Sequence, residues 1–195
     1  MTMDLWLARH GETQWSLSGR HTGATDVPLT PSGTQQARAL GTVLGDHPFS
    51  RVLSSPLLRA RETARLAGFA DRVEVSDLLR EYDYGTYEGR TTADIQLERP
   101  GWDLFRDGCP GGESPDEVAT RMGRFLAQLG GAEGDVLLFG HGHSLRALAA
   151  MYLDSPIGLA GRLSLGAGSL SILGHEHGRS AIALWNRSFS PPSNG

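Results

Sequence analysis

Six short apolar runs alternate along the chain with longer stretches of helical periodicity: Leu5–Ala8, Arg51–Ser54, Val73–Val75, Val136–Phe139, Ser169–Leu173 and Ala181–Trp185. A short apolar run closed by a turn reads as a strand covered on both faces, and such strands separated by helices read as βα units. The pattern predicts an α/β fold, a three-layer sandwich with a mostly parallel central sheet and helices on both of its faces. Helix starts are legible as well. Thr30-Pro31 sets an N-capping hydroxyl before a proline at the first helical position, and Gln35, Ala39 and Leu40 continue that helix toward Gly45. Ser114-Pro115-Asp116-Glu117 adds a capping box, Ser114 with Glu117, and opens a helix through Leu126 and Leu129 that stops at Gly130-Gly131. Two further helices are expected just after strands, from Pro56 through Leu66 and from about His143 through Leu153. The stretch Glu98–Glu113 reads as a loop between helices within one domain, and the tail Ser188–Gly195 as loosely ordered.

Composition bounds what such a fold can bind. The 195 residues suit a single domain, residues 1–195, with ample core. With 18 Lys and Arg against 22 Asp and Glu the formal charge is -4, so there is no basic field to hold nucleic acid, and any anion must be captured locally. The one cysteine, Cys109, excludes an internal disulfide framework and a cysteine metal cluster. Neither a membrane span nor a signal peptide is legible, and the expected setting is soluble and cytoplasmic.

Strand ends concentrate the chemistry. The first run stops at Arg9-His10-Gly11-Glu12-Thr13, the second at Ser54-Ser55-Pro56 and the fourth at Gly140-His141-Gly142-His143. Ligands of open α/β sheets bind beyond the carboxyl ends of the strands, so parallel neighbours would bring His10 and His141 to one edge. There a neutral His10 could attack phosphorus while a protonated His141 donates to phosphoryl oxygens. Arg59 falls about one turn into the helix after the second strand and can point back over that edge, whereas Arg61 and Arg65 face elsewhere.

Four motifs in this order carry a resemblance: Leu7-Ala8-Arg9-His10-Gly11-Glu12-Thr13, then Ser54 to Ala64, then Leu79-Arg80-Glu81 with Gly85-Thr86-Tyr87-Glu88-Gly89, and finally Gly140-His141-Gly142. From Leu5 to about Leu153 the chain resembles the histidine phosphatase superfamily, the phosphoglycerate-mutase-like enzymes. The resemblance implies a phosphohistidine formed on His10, with the other ring nitrogen held by a backbone carbonyl. It implies a phosphate pocket of Arg9, Arg59 and His141, and Glu81 as the group that protonates the leaving oxygen and then deprotonates water. Arginine contacts to a transferring phosphoryl group can be worth about 10³ to 10⁵ in rate, so loss of Arg9 or Arg59 should nearly abolish turnover. Asp83 competes with Glu81 for the acid role, and the spacing from Leu79 and ahead of Gly85 favours Glu81. No metal or other cofactor is implied. His175 and His177 invite a metal reading, but their place between two strand candidates makes a hairpin with solvated histidines the reading adopted.

Trp15-Ser16-Leu17-Ser18-Gly19-Arg20-His21-Thr22-Gly23, Tyr82-Asp83-Tyr84-Gly85, Trp102 to Ser114, and His141 to Arg146 resemble the acid phosphatase and sedoheptulose-bisphosphatase branch. That resemblance makes Ser16, Thr22, Gly23, Tyr84, Gly142 and His143 candidate substrate contacts. Ser16 stands where many members carry asparagine, which shortens the reach but keeps a hydroxyl. The expected activity is a phosphomonoesterase acting on small phosphate esters such as sugar phosphates. The alternatives are a cofactor-dependent phosphoglycerate mutase, disfavoured by the longer insertion such mutases carry after the acid, and a non-catalytic phosphate-binding protein, disfavoured by the full set of catalytic residues. Neither a nucleic-acid nor a membrane partner is expected, and exposed edge strands would permit a homodimer.

Overall fold

The computed structural model describes residues 3–130 and 133–189. Its strands are β1 (Leu5–Arg9), β2 (Arg51–Ser54), β3 (Val73–Val75), β4 (Val136–Gly140), β5 (Leu170–Glu176) and β6 (Arg179–Arg187), in the sheet order β3-β2-β4-β1-β5-β6. The first four of that order run parallel, and β5 and β6 extend the sheet antiparallel. The helices are α1 (Gln14–Leu17), α2 (Pro31–Leu44), α3 (Leu58–Leu66), α4 (Thr92–Glu98), α5 (Leu104–Asp107), α6 (Pro115–Leu129) and α7 (Gly142–Tyr152).

Successive strand side chains point to opposite faces, and each face of the sheet gathers its own core. Leu5 and Leu7 of β1, Leu53 of β2 and Leu138 of β4 pack with Met122 and Phe125 of α6 and Leu145 and Leu148 of α7. On the other face Ala8, Val52, Leu137 and Phe139 pack with Leu40 and Leu44 of α2 and Ala64 of α3. The result is the expected three-layer α/β sandwich. β4 lies mid-sheet with both faces covered, so it is buried along its length and carries no polar side chain. Helices leaving β1 and β2 go to one face and the helix leaving β4 goes to the other. The chain therefore parts at the carboxyl ends of these neighbouring strands and opens a crevice there.

The expected caps are formed. Thr30 Oγ1 accepts from the Gly33 amide at 3.0 Å, and Ser114 and Glu117 bond reciprocally. Several boundaries move for local reasons. Ser55 Oγ accepts from the Leu57 amide, which holds the chain extended past Pro56, and α3 starts at Leu58. α7 starts at Gly142 with His141 as its N-cap residue. Gly130 caps α6, while Gly131 and residues 190–195 lie outside the described residues; of the expected loose tail, Phe189 instead packs against the second core. Three helices were not expected from sequence: α1, α4 and α5 have four, seven and four residues, too few for a periodic signal. α5 also interrupts the stretch expected to be loop. β5 and β6 join through His177-Gly178, with φ of 49° and 74°, a two-residue hairpin turn that leaves His177 exposed, as the solvated-hairpin reading requires; His175 sits at the exposed end of β5. Among the described residues no helix is long and apolar enough to cross a membrane.

Close backbone approach fixes the loop after β1. A Cβ on Gly11 would lie 2.3 Å from the Gly33 carbonyl oxygen, and one on Gly33 would lie 2.1 Å from that of Glu12. Only glycines let the start of α2 dock on this loop. Glu12 reinforces the dock, accepting the Thr30 hydroxyl at 2.7 Å, while Thr13 caps α1.

Candidate active site

Arg9 of β1 lies opposite Gly140 of β4, and the ladder continues past the strand ends: the His10 amide donates to Gly140 O at 2.9 Å and the Ser55 amide to Phe139 O at 3.0 Å. Three strand ends thus place His10, Ser55 and His141 side by side. His10 is buried, and its Nδ1–H donates to the Gly11 carbonyl at 2.8 Å, leaving Nε2 with a free lone pair. Burial, reinforced by Arg9 and Arg59, holds its pKa well below the ordinary 6.5, so the ring is neutral.

Behind it, the His141 ring centroid is 5.2 Å away. Arg59 Nε donates to His141 Nδ1 at 3.1 Å, and His141 Nε2–H therefore donates to Ser55 Oγ at 2.7 Å. Burial and Arg59 push the His141 pKa well below 6.5. The expected protonated His141 is corrected: in this structure it is a neutral donor through Nε2. Arg59 is fully buried and does point back over the sheet edge, but its other donors go to the carbonyls of Thr25, Thr22 and Gly23 at 2.8 to 3.0 Å. It braces the loop and His141 from below. Arg65 faces away and pairs with Glu62, and Arg61 is exposed.

In front of His10 lies an open cleft of about 200 Å³, lined by Arg9, His10, Ser16, Thr22, Glu81, Tyr84, Gly142 and His143 among others. Arg9 reaches it with Nη1 bonded to the Leu165 carbonyl and a buried Nε that has no partner among the described residues. Glu81 is buried to 8 % exposure; Oε1 accepts the Tyr82 and Ser144 amides at 2.9 and 2.8 Å, and Oε2 accepts the His143 amide at 3.1 Å. The start of α7 thus aims this carboxyl into the cleft. Asp83, its rival from sequence, is exposed and caps its own turn through the Gly85 amide. Burial raises the Tyr84 pKa and lowers that of His143, so both stay neutral, and the Tyr84 hydroxyl and His143 Nδ1 share a hydrogen bond at 2.6 Å.

Two expected contacts are occupied otherwise. The Gly23 amide donates to the Glu88 carboxylate at 2.9 Å and Gly23 does not line the cleft, and Ser16 lines it while its hydroxyl donates to the Thr13 carbonyl as part of the α1 cap. A buried neutral Tyr84, Arg9 and a base with an open lone pair opposite a fixed carboxyl form a site suited to phosphoryl transfer.

A family model for the histidine phosphatase superfamily (branch 1) matches residues 5–188. The chain belongs to that superfamily. It is 42% identical over 186 residues to an acid phosphatase of Mycobacterium tuberculosis, covering 92% of this chain and 90% of the relative. It is 37% identical to a sedoheptulose 1,7-bisphosphatase of Saccharomyces cerevisiae over 75% of this chain and 66% of the relative. A solved structure of a Mycobacterium tuberculosis open reading frame superposes with a TM-score of 0.91 at 39% identity, covering 96% of this chain and 99% of that one. A probable phosphoglycerate mutase of Salmonella is 33% identical over 94% of this chain and 90% of its own length, so length alone does not separate mutase from phosphatase.

Six residues of this histidine phosphatase's cleft were not named as site residues from sequence: Gly19, Arg20, His21, Thr92, Arg146 and Leu165. His21 is buried between Tyr84 and Trp102, with ring centroids 4.7 and 5.6 Å away. Its neighbour Thr22 drew attention and it did not. Arg146 follows His143 by three residues on α7, a spacing that puts both on one face.

Proposed function

We propose that this histidine phosphatase is a phosphomonoesterase that acts on small phosphorylated metabolites, sugar phosphates included, through a phosphohistidine on His10. The observation that carries this reading is the Nδ1 bond of His10 to Gly11 at 2.8 Å, which commits Nε2 to attack. Nε2 bonds to phosphorus as the ester P–O bond breaks, Arg9 holds a non-bridging oxygen, and Glu81 gives its proton to the leaving oxygen. Water then attacks the phosphohistidine, Glu81 takes a proton from it, and inorganic phosphate leaves with the site restored. His141 and Arg59 act from behind, His141 Nε2–H donating to the phosphoryl group in place of Ser55. Ser16, Thr22, Tyr84, Gly142 and His143 shape the substrate side, and Gly23 acts through its carbonyl on Arg59.

The acid phosphatase and bisphosphatase among its relatives support hydrolysis, and the cleft rim at Gly19 and Arg20 is exposed, which admits the water that hydrolysis needs. In the same proposal the 195 residues work as one domain in the cytoplasm on a small phosphate ester, and sedimentation equilibrium tests homodimer formation. The deciding experiment measures p-nitrophenyl phosphate hydrolysis beside phosphoglycerate isomerisation, with and without bisphosphoglycerate. Hydrolysis with label trapped on His10, lost in His10→Ala, is the expected outcome. Isomerisation without hydrolysis would overturn the reading in favour of the mutase, and label on another residue would overturn the nucleophile.

A further inference from the structure

The edge strand β6 departs from a regular ladder where it passes the loop that borders the cleft. Leu170 pairs with Arg187 and Ile172 with Leu184, so Ser171 of β5 stands against two residues of β6, Trp185 and Asn186. This is a β-bulge. Asn186 takes a φ of 56° there, a conformation asparagine adopts more readily than most residues, and its amide donates to Ser171 Oγ at 2.9 Å. In a regular strand two successive side chains point to opposite faces. Here both reach the same loop: Trp185 Nε1–H donates to the Ser164 carbonyl at 2.6 Å, and Asn186 Oδ1 accepts the Gly166 amide at 2.7 Å.

The residue between those two anchors is Leu165, which lines the cleft and whose carbonyl accepts Arg9 Nη1–H. The loop is tied from its other end as well: Ser169 Oγ donates to the Gly166 carbonyl at 2.6 Å, and the Gly168 amide donates to the His10 carbonyl at 2.9 Å. Among the described residues the Leu165 carbonyl is the one hydrogen-bond partner of the Arg9 guanidinium. Its other flank rests on Gly142, where a Cβ would come within 3.2 Å of the guanidinium carbon. A head with so many donors and a single acceptor takes its direction from that acceptor. The Leu165 carbonyl is in turn placed by Trp185 and Asn186.

We propose that Trp185 and Asn186 are positioning residues for Arg9: through loop 164–166 the β6 bulge aims the guanidinium at the phosphoryl oxygens held at His10. This inference rests on the phosphatase reading, in which Arg9 holds a non-bridging oxygen. The test is a double-mutant cycle read by calorimetric binding of orthovanadate, an analogue of the phosphoryl group. Asn186→Gly leaves the backbone at ease at positive φ and removes only the acceptor. It should weaken vanadate binding about tenfold in the otherwise unchanged protein, and less than about twofold beside Arg9→Gln, where there is no guanidinium left to aim. Asn186→Asp keeps an acceptor oxygen and should recover most of the affinity. Trp185→Phe keeps the ring, drops the N–H and should follow the same pattern, so the cycle is decided even when one variant does not fold. An equal loss in both Arg9 backgrounds, or no loss in the first, would overturn the proposal. In Asn186→Gly the kcat/KM for p-nitrophenyl phosphate should fall in step with vanadate affinity. If the wild type does not hydrolyse p-nitrophenyl phosphate the phosphatase reading fails by itself, and the binding cycle still decides whether the bulge acts through Arg9.

Discussion

His10 is fitted to its proposed role by two local facts, a carbonyl one residue on and a pair of arginines nearby. The carbonyl fixes the tautomer, and burial with the arginines depresses the pKa. A depressed histidine stays neutral as pH falls through 6.5, so the proposed nucleophile persists in acid. The kcat/KM profile should therefore show no acid limb near 6.5 from His10, and imidazole nitrogen NMR should show a neutral Nδ1–H ring at pH 6.5. A ring titrating near 6.5 would contradict this. Tyr84 holds a second ring, that of His143, through one hydrogen bond. Tyr84→Phe removes one hydrogen bond, about 1 kcal/mol or roughly fivefold in kcat/KM, measurable on any good substrate.

Among the elements, α6 reaches furthest into function. Arg121 pairs with Glu113 at 2.7 and 2.8 Å and also donates to the carbonyls of Leu78 and Arg80 at 2.8 Å, while Glu113 accepts the Asp83 amide at 3.0 Å. The segment is thus pinned on both sides of Glu81. Arg121→Met should slow alkyl phosphates about tenfold more than p-nitrophenyl phosphate, because nitrophenolate leaves without a proton; equal losses would mean a structural effect alone. The dock of α2 on the first loop yields another prediction. Alanine is favoured over glycine in a helix by at most ~1 kcal/mol, but at Gly33 it would meet the Glu12 carbonyl at 2.1 Å, and overpacking of that kind costs about 1 to 3 kcal/mol. Gly33→Ala should lower the urea midpoint. Long capped helices such as α2 and α6 were legible because proline, cap and periodicity agree; α1, α4 and α5 were not, because a helix of one or two turns is held by its surroundings.

For the molecule as a whole, the buried histidines tie stability to pH. His10, His21, His141 and His143 all have folded pKa values below the unfolded 6.5. Above pH 6.5 all are neutral in both states and contribute nothing; below it only the unfolded chain takes up protons. Stability should fall by up to about 1.4 kcal/mol per pH unit for each histidine as pH drops below 6.5, until the folded values are reached. Thermal melting from pH 7.5 to 5 measures this, and a flat Tm would refute it. Inorganic phosphate at about 100 times its Kd should oppose the loss by about 2.7 kcal/mol. The sequence by itself determined the strands, the helices with strong caps and the residues at strand ends, because local periodicity, caps and turns write those into neighbouring positions. His10, Glu81 and the α/β layering were legible for that reason. Only the tertiary structure decided that Arg59 is a brace, that His141 is neutral, that the Gly23 amide and the Ser16 hydroxyl are already engaged, and that Arg146 faces the cleft. Each depends on which distant carbonyl, carboxylate or ring a side chain meets, and on the burial that sets its charge.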